Sequence, residues 1–235
     1  MLQRFVAIAI VITGLVLPAL AGSDRDDDIS RIHASARVFR EIMNTPDKAI
    51  PQELLESAKC IAIIPGEKKA AFIFGARYGK GLATCRTKEG WSAPLFLAVG
   101  GGSWGLQIGG SSTDVVLIIR SEHGMRSLLS DKFTIGADAT AAAGPVGRHA
   151  SADTDLKLNA EILTYSRSKG AFVGVSLDGA VVQTDRSGDQ AMYGAEIERN
   201  RILDGTVRIP RAAQPLISEI GQYTNTHVAE SGSAH

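Results

Sequence analysis

The sequence is short of the residue types that carry most chemistry. Its 235 residues hold two Cys and five His. Cys60 and Cys85 are too far apart for a CxxC redox or zinc motif and have no His nearby, which argues against a metal site. The histidines (His33, His123, His149, His227 and His235) form no HExxH. A Ser-His-Asp set built from Ser103, His149 and Asp114 stays open, because such triads are recognised by geometry. The expectation is therefore a protein that is not an enzyme. Residues 100–105 (GGGSWG) lack the Gly-Lys-Ser/Thr that completes a phosphate loop and read instead as a strand closely approached by a neighbour. No cofactor is expected.

Excess charge is also missing. Twenty-five Lys and Arg balance 25 Asp and Glu. Removing residues 1–21, whose only charge is Arg4, leaves 24 basic against 25 acidic residues, or −1. That excludes a globally basic nucleic-acid binder, so any attraction to a polyanion has to come from a local patch.

What is present suffices for a core. Hydrophobic residues make up 44%, too many for a disordered chain. Residues 5–20 are apolar apart from Thr13, Gly14 and Pro18, follow Arg4, and end in Ala19-Leu20-Ala21. This is the plan of a secretory signal peptide cleaved after Ala21. The competing reading is an uncleaved anchor, which Pro18 disfavours. Position 23 is Ser, so the chain has no lipoprotein cysteine. Residues 22–235 are then expected to form a single exported domain, periplasmic or secreted. In an oxidising compartment Cys60 and Cys85 read as a disulfide; two buried free thiols are the alternative.

Ile29, Ile32, Ala36, Phe39, Ile42 and Met43 recur at helical spacing and predict an N-terminal helix over 28–45, preceded by an acidic run at 24–28. His33, Arg37 and Arg40 edge its apolar stripe, which either covers the core or lies in a bilayer interface. Pro51 opens a short helix at 52–58. Residues 59–185 read as a β-rich core. Runs at 60–64 and 114–120 are strands, the first closed by Pro65-Gly66; Asp178-Gly179 signals a hairpin between 171–177 and 179–184. Residues 122–130, 191–203 and 210–223 read as helices, with the closing helices spanning 190–223. The fold class is α+β: an antiparallel β-sheet or barrel-like core with helices at the N- and C-terminal ends.

Several stretches, taken together, resemble the SYLF domain family. They are residues 58–65 (AKCIAIIP), 91–94 (WSAP), 105–110 (GLQIGG) with Asp114 and Val115, 144–148 (GPVGR), 165–177 (YSRSKGAFVGVSL), Tyr193-Gly194 and 202–205 (ILDG). Their order over about residues 30–222 carries the resemblance. It implies a lipid-binding module: eukaryotic members are associated with phosphoinositide-containing membranes and fungal ones also with actin. Bacterial members look like exported envelope proteins.

The functional candidates are cations placed by the pattern in turns: Lys68 and Lys69, Arg77 and Lys80, Arg148, and Arg167 with Lys169. If these turns meet at one end of the sheet they form a basic rim, with Arg37 and Arg40 on the first helix as a second contact. Each such residue near an anionic bilayer contributes about 1 kcal/mol. The plain reading is a solvated surface with acids interspersed. The expected partner is anionic membrane lipid bound peripherally, with an envelope scaffold for protein partners as the alternative and no nucleic acid. Asp114 is expected to satisfy a turn.

Overall fold

The computed structural model describes residues 21–45, 49–71, 74–104, 109–145, 159–168, 171–174, 177–194 and 197–230. The expected signal segment at 1–20 lies outside them.

Helix α1 (Ala21–Met43) is longer than the apolar spacing predicts, because the acidic run belongs to its opening turns rather than to a preceding loop. Asp24 near its start and Arg40 in its last turn suit the helix dipole. Its stripe is core: Ile32, Phe39 and Ile42 are fully buried. Helix α2 (Gln52–Glu56) follows Pro51 and buries Leu54 and Leu55.

Ten strands form one curled, mostly antiparallel sheet. In chain order they are β1 (Cys60–Ala71), β2 (Phe74–Thr87), β3 (Gly90–Trp91), β4 (Leu95–Trp104), β5 (Gly109–Ile119), β6 (Lys132–Thr134), β7 (Ala141–Ala143), β8 (Ile162–Ser168), β9 (Ala171–Gly174) and β10 (Val181–Thr184). The spatial order is β6-β10-β4-β2-β1-β5-β8-β7, with β3 on β2 and β9 on β8; among the described strands only β7 and β8 run parallel. Helix α3 (Glu122–Leu129) comes between β5 and β6, and α4 (Arg186–Tyr193), α5 (Arg199–Leu203) and α6 (Gln214–Glu230) follow β10.

The apolar runs of β1 and β5 are continuous because the sheet is covered on both faces. Ile61, Ile63, Val116 and Ile118 pack with α1, α2 and α6. Cys60, Ala62, Ile64, Leu117 and Ile119 pack on the other side with Leu128 and Ile202.

Three boundaries differ from the pattern. Pro65-Gly66 does not close β1. Gly66 (φ +60°) sits in a β-bulge, where two residues face Asp114 between the pairs Ile64↔Val115 and Glu67↔Thr113. The bulge presses on β2: a Cβ on Gly81 would meet the Ile63 carbonyl at 2.3 Å, so only glycine fits there. The Asp178-Gly179 turn forms, but β9 pairs with β8 and β10 with β4 and β6, so it closes no hairpin. The helix expected at 191–203 is two, since Gly194 (φ +78°) caps α4 in the left-handed conformation.

Candidate functional site

Past the bulge, β1, β2, β4 and β5 leave the core. Residues 60–64, 81–85, 95–99 and 115–119 are buried, whereas Lys68, Ala76, Tyr78, Gly102 and Ser112 on the same four strands are exposed. The register closes this end with Ala71 opposite both Gly75 and Gly109, and Phe74 opposite Trp104. No charged residue occurs at 70–76 or at 90–113. Charge begins just behind: Lys68 pairs in register with Tyr78, and Lys69 with Arg77. Among the described residues, Tyr78 is the large apolar side chain that stands out to solvent, at 54% exposure. The projecting end is thus an uncharged tip with a basic collar.

Of the sequence candidates, the structure brings Lys68, Lys69, Arg77 and Lys80 together, on neighbouring strands rather than in turns. Among the described candidates, it gives four of the cations acidic partners. Arg40 forms a fork on Glu219 at 2.8 to 3.1 Å. Arg77 lies 3.8 Å from the buried Glu67. Lys80 reaches Asp185 at 2.8 Å. Arg167, on β8 and not in a turn, holds Asp114 and Glu41. Arg37 stands exposed on α1. Arg148 and Lys169 lie outside the described residues. Of the two readings of the α1 stripe, covering the core or lying in a bilayer interface, the structure shows the first: Ile32, Phe39 and Ile42 belong to the core.

Asp114 has a structural task. Its Oδ1 accepts the Gly66 N–H of the bulge at 2.9 Å, while Oδ2 accepts from Arg167. His149 lies outside the described residues. No cluster of metal-ligating side chains occurs among the described residues, and no described helix is long and apolar enough to cross a membrane.

Cys60 and Cys85 face each other across β1 and β2, fully buried, and are joined as a disulfide. Arg86 N–H donates to the Lys59 carbonyl in the adjacent pair. The cysteines thereby occupy a non-hydrogen-bonded position, where antiparallel Cα atoms come closest.

The sequence reading missed a buried knot of charge that ties α1 to α4 and the sheet. Asp28, Asp185 and Asp189 are all buried. Arg31 bridges Asp28 (2.8 Å) and Asp185 (3.0 Å). Asp185 also caps α4 through Gly188 N–H and accepts the Ser187 hydroxyl. Burial alone would raise the Asp185 carboxyl, but Lys80, Ser187 and Arg31 together hold it down at about 2. Asp189 accepts Phe96 N–H at 2.9 Å, yet burial, with Asp185 and Asp28 nearby, pushes it up to about 7. The one sequence signal was Asp185 as an N-cap two residues before Ser187-Gly188; nothing marked Asp189.

Comparison with known proteins gives a consistent relationship. The family model described as Ysc84, a Las17-binding protein actin regulator, matches residues 100–223. Protein YSC84 of Saccharomyces cerevisiae is 38% identical over 197 residues, covering 80% of this chain and 42% of that protein. The SH3 domain-containing YSC84-like protein 1 of Homo sapiens is 31% identical over 208 residues, covering 86% and 60%. The Rattus norvegicus protein of the same name is 30% identical over 208 residues, covering 86% and 61%. The chain thus spans about two fifths to three fifths of the length of these relatives. The resemblance first seen in the motifs is confirmed: the chain belongs to the Ysc84 (SYLF) domain family.

Proposed function

We propose that this domain is a non-catalytic, exported binding module that docks peripherally on an anionic membrane through the projecting end of β1, β2, β4 and β5. The observation that carries the reading is the uncharged strand end bounded by Lys68, Lys69 and the exposed Tyr78. Such an end suits the boundary between headgroups and acyl chains, where tyrosine keeps its ring apolar and its hydroxyl wet. Each collar lysine adds about 1 kcal/mol of attraction, which salt screens. Export is supported by the apolar segment at 5–20 with its Ala-x-Ala end and by the buried disulfide.

A protein-binding role is the second reading. It is supported by the names of the relatives, among them LAS seventeen-binding protein 3 of Saccharomyces cerevisiae. It would use the exposed faces of α1 and α6 and leave the strand end idle.

Co-sedimentation with vesicles separates the two. Wild-type protein is expected to pellet with phosphatidylglycerol-containing vesicles, less so as salt rises, and to stay in solution with phosphatidylcholine alone. Lys68→Glu reverses one collar charge and should weaken binding about tenfold; Tyr78→Ala should weaken it severalfold. Recovery that ignores lipid charge, or a Lys68→Glu variant that pellets like the wild type, would refute the membrane reading.

A further inference from the structure

A second concavity lies between the end of α3, β10, α4 and α5. It encloses about 750 Å³ and is lined by Thr184, Arg186, Asp189, Gln190, Arg199 and Asn200, among others. At its mouth two guanidinium groups converge on one oxygen. Arg186 Nη2 lies 2.8 Å and Arg199 Nη1 2.5 Å from Asp131 Oδ1. Arg199 also donates to the Thr184 hydroxyl at 3.2 Å. Arg199 is largely sheltered, at 23% side-chain exposure, whereas Asp131 is 67% exposed in the link between α3 and β6.

The Asp131 carboxylate therefore occupies a built anion position while being weakly held itself. Surface ion pairs of this kind contribute little to stability, so the side chain can swing into water at small cost. A phosphoryl group has more oxygens than a carboxylate. It can take both guanidinium groups and the Thr184 hydroxyl at once, with the amides of Gln190 and Asn200 left for the organic part. We infer that Arg186, Arg199 and Thr184 form a binding site for a soluble phosphomonoester, with Asp131 as the resident carboxylate that the ligand displaces. The charges of the sheltered Arg199 and the exposed Arg186 together match the dianion of a monoester better than the single charge of a phosphodiester lipid. Two acids, Asp189 and Glu198, also line the cleft; burial pushes Asp189 up to about 7, which lessens its repulsion below that pH.

The site is independent of the membrane reading, and the test keeps the two apart. Inorganic phosphate and glycerol phosphate are titrated into the protein at constant ionic strength, followed by amide chemical shifts. Arg199→Gln should weaken binding about tenfold or more, the loss of one charge-assisted hydrogen bond. Asp131→Asn should tighten it severalfold, since the competing carboxylate is gone. Arg37→Gln, on the far helix, should change nothing. Pelleting with phosphatidylglycerol vesicles should be the same for Arg199→Gln and wild type. The inference is overturned if Asp131→Asn binds phosphate no better than wild type, or if Arg37→Gln loses as much as Arg199→Gln. It is also overturned if Arg199→Gln fails to pellet with vesicles, which would make the cleft a lipid-headgroup site.

Discussion

Replacing Asp189 with Asn is expected to stabilise the protein at pH 8 and to have little effect near pH 4. The carboxyl is buried, faces Asp28 and Asp185, and is opposed only by Phe96 N–H and the more distant Arg199. Its folded-state value of about 7 lies above its ordinary 3.8. The folded state therefore holds a proton that the unfolded state has released. The contribution to stability is fully present below pH 3.8 and is lost as pH rises through 7. Three units correspond to an upper bound on the order of 4 kcal/mol. Asn keeps the acceptor for Phe96 N–H and carries no charge, so it removes the penalty without orphaning the donor. Asp28 is raised by burial in the same direction, although Arg31 opposes it. Asp185 behaves oppositely: held at about 2, it stabilises above its ordinary value, and this support is lost as pH falls toward 2. Urea unfolding at several pH values checks the claim. The wild-type midpoint should decline between pH 4 and 8 while the Asn variant stays flatter. Equal destabilisation by Asp189→Asn at every pH would contradict it.

Removing both cysteines should cost about 3 kcal/mol, from loop-closure entropy across a separation of 25 residues. The double variant Cys60→Ala/Cys85→Ala should then melt about 10 °C lower. The bond lies between the two central strands and is buried on both sides, so reductant should act slowly on the folded protein. Thiol titration of denatured protein should find no free thiol without reductant and two with it. Two reactive thiols without reductant would remove the staple from the account.

Much of the fold was legible because it rests on local pattern. The unbroken apolar runs of β1 and β5 could only belong to strands buried on both faces. The spacing of Ile32, Phe39 and Ile42 fixed the inner face of α1. Pro65-Gly66 misled because a bulge demands the same positive φ as a turn, and only the partner strand tells them apart. Asp178-Gly179 turned the chain as read, but which strands it joined depended on pairings distant in sequence.

The candidate site was less legible for the same reason. Lys80 and Asp185, or Arg40 and Glu219, meet across more than a hundred residues, so no local pattern shows that these cations have partners. Nearness to turn residues picked out Lys68, Lys69 and Arg77, but as members of two turns, whereas they lie on the paired strands β1 and β2. It could not show that Glu67, buried at 1% exposure, sits against Arg77. The better signal was the absence of charge from 70–76 and 90–113, which becomes meaningful once the register brings both stretches to one end of the sheet.

The membrane-docking claim is tested most directly at Trp104, the last residue of β4. The chain has two tryptophans, and the other, Trp91, is buried against Thr224. A Trp91→Phe variant leaves Trp104 as the sole reporter at the strand end. With phosphatidylglycerol vesicles that carry nitroxide-labelled acyl chains, its fluorescence should be quenched, and raising the salt should restore it. Unquenched Trp104 in protein that still pellets with those vesicles would mean that another surface makes the contact.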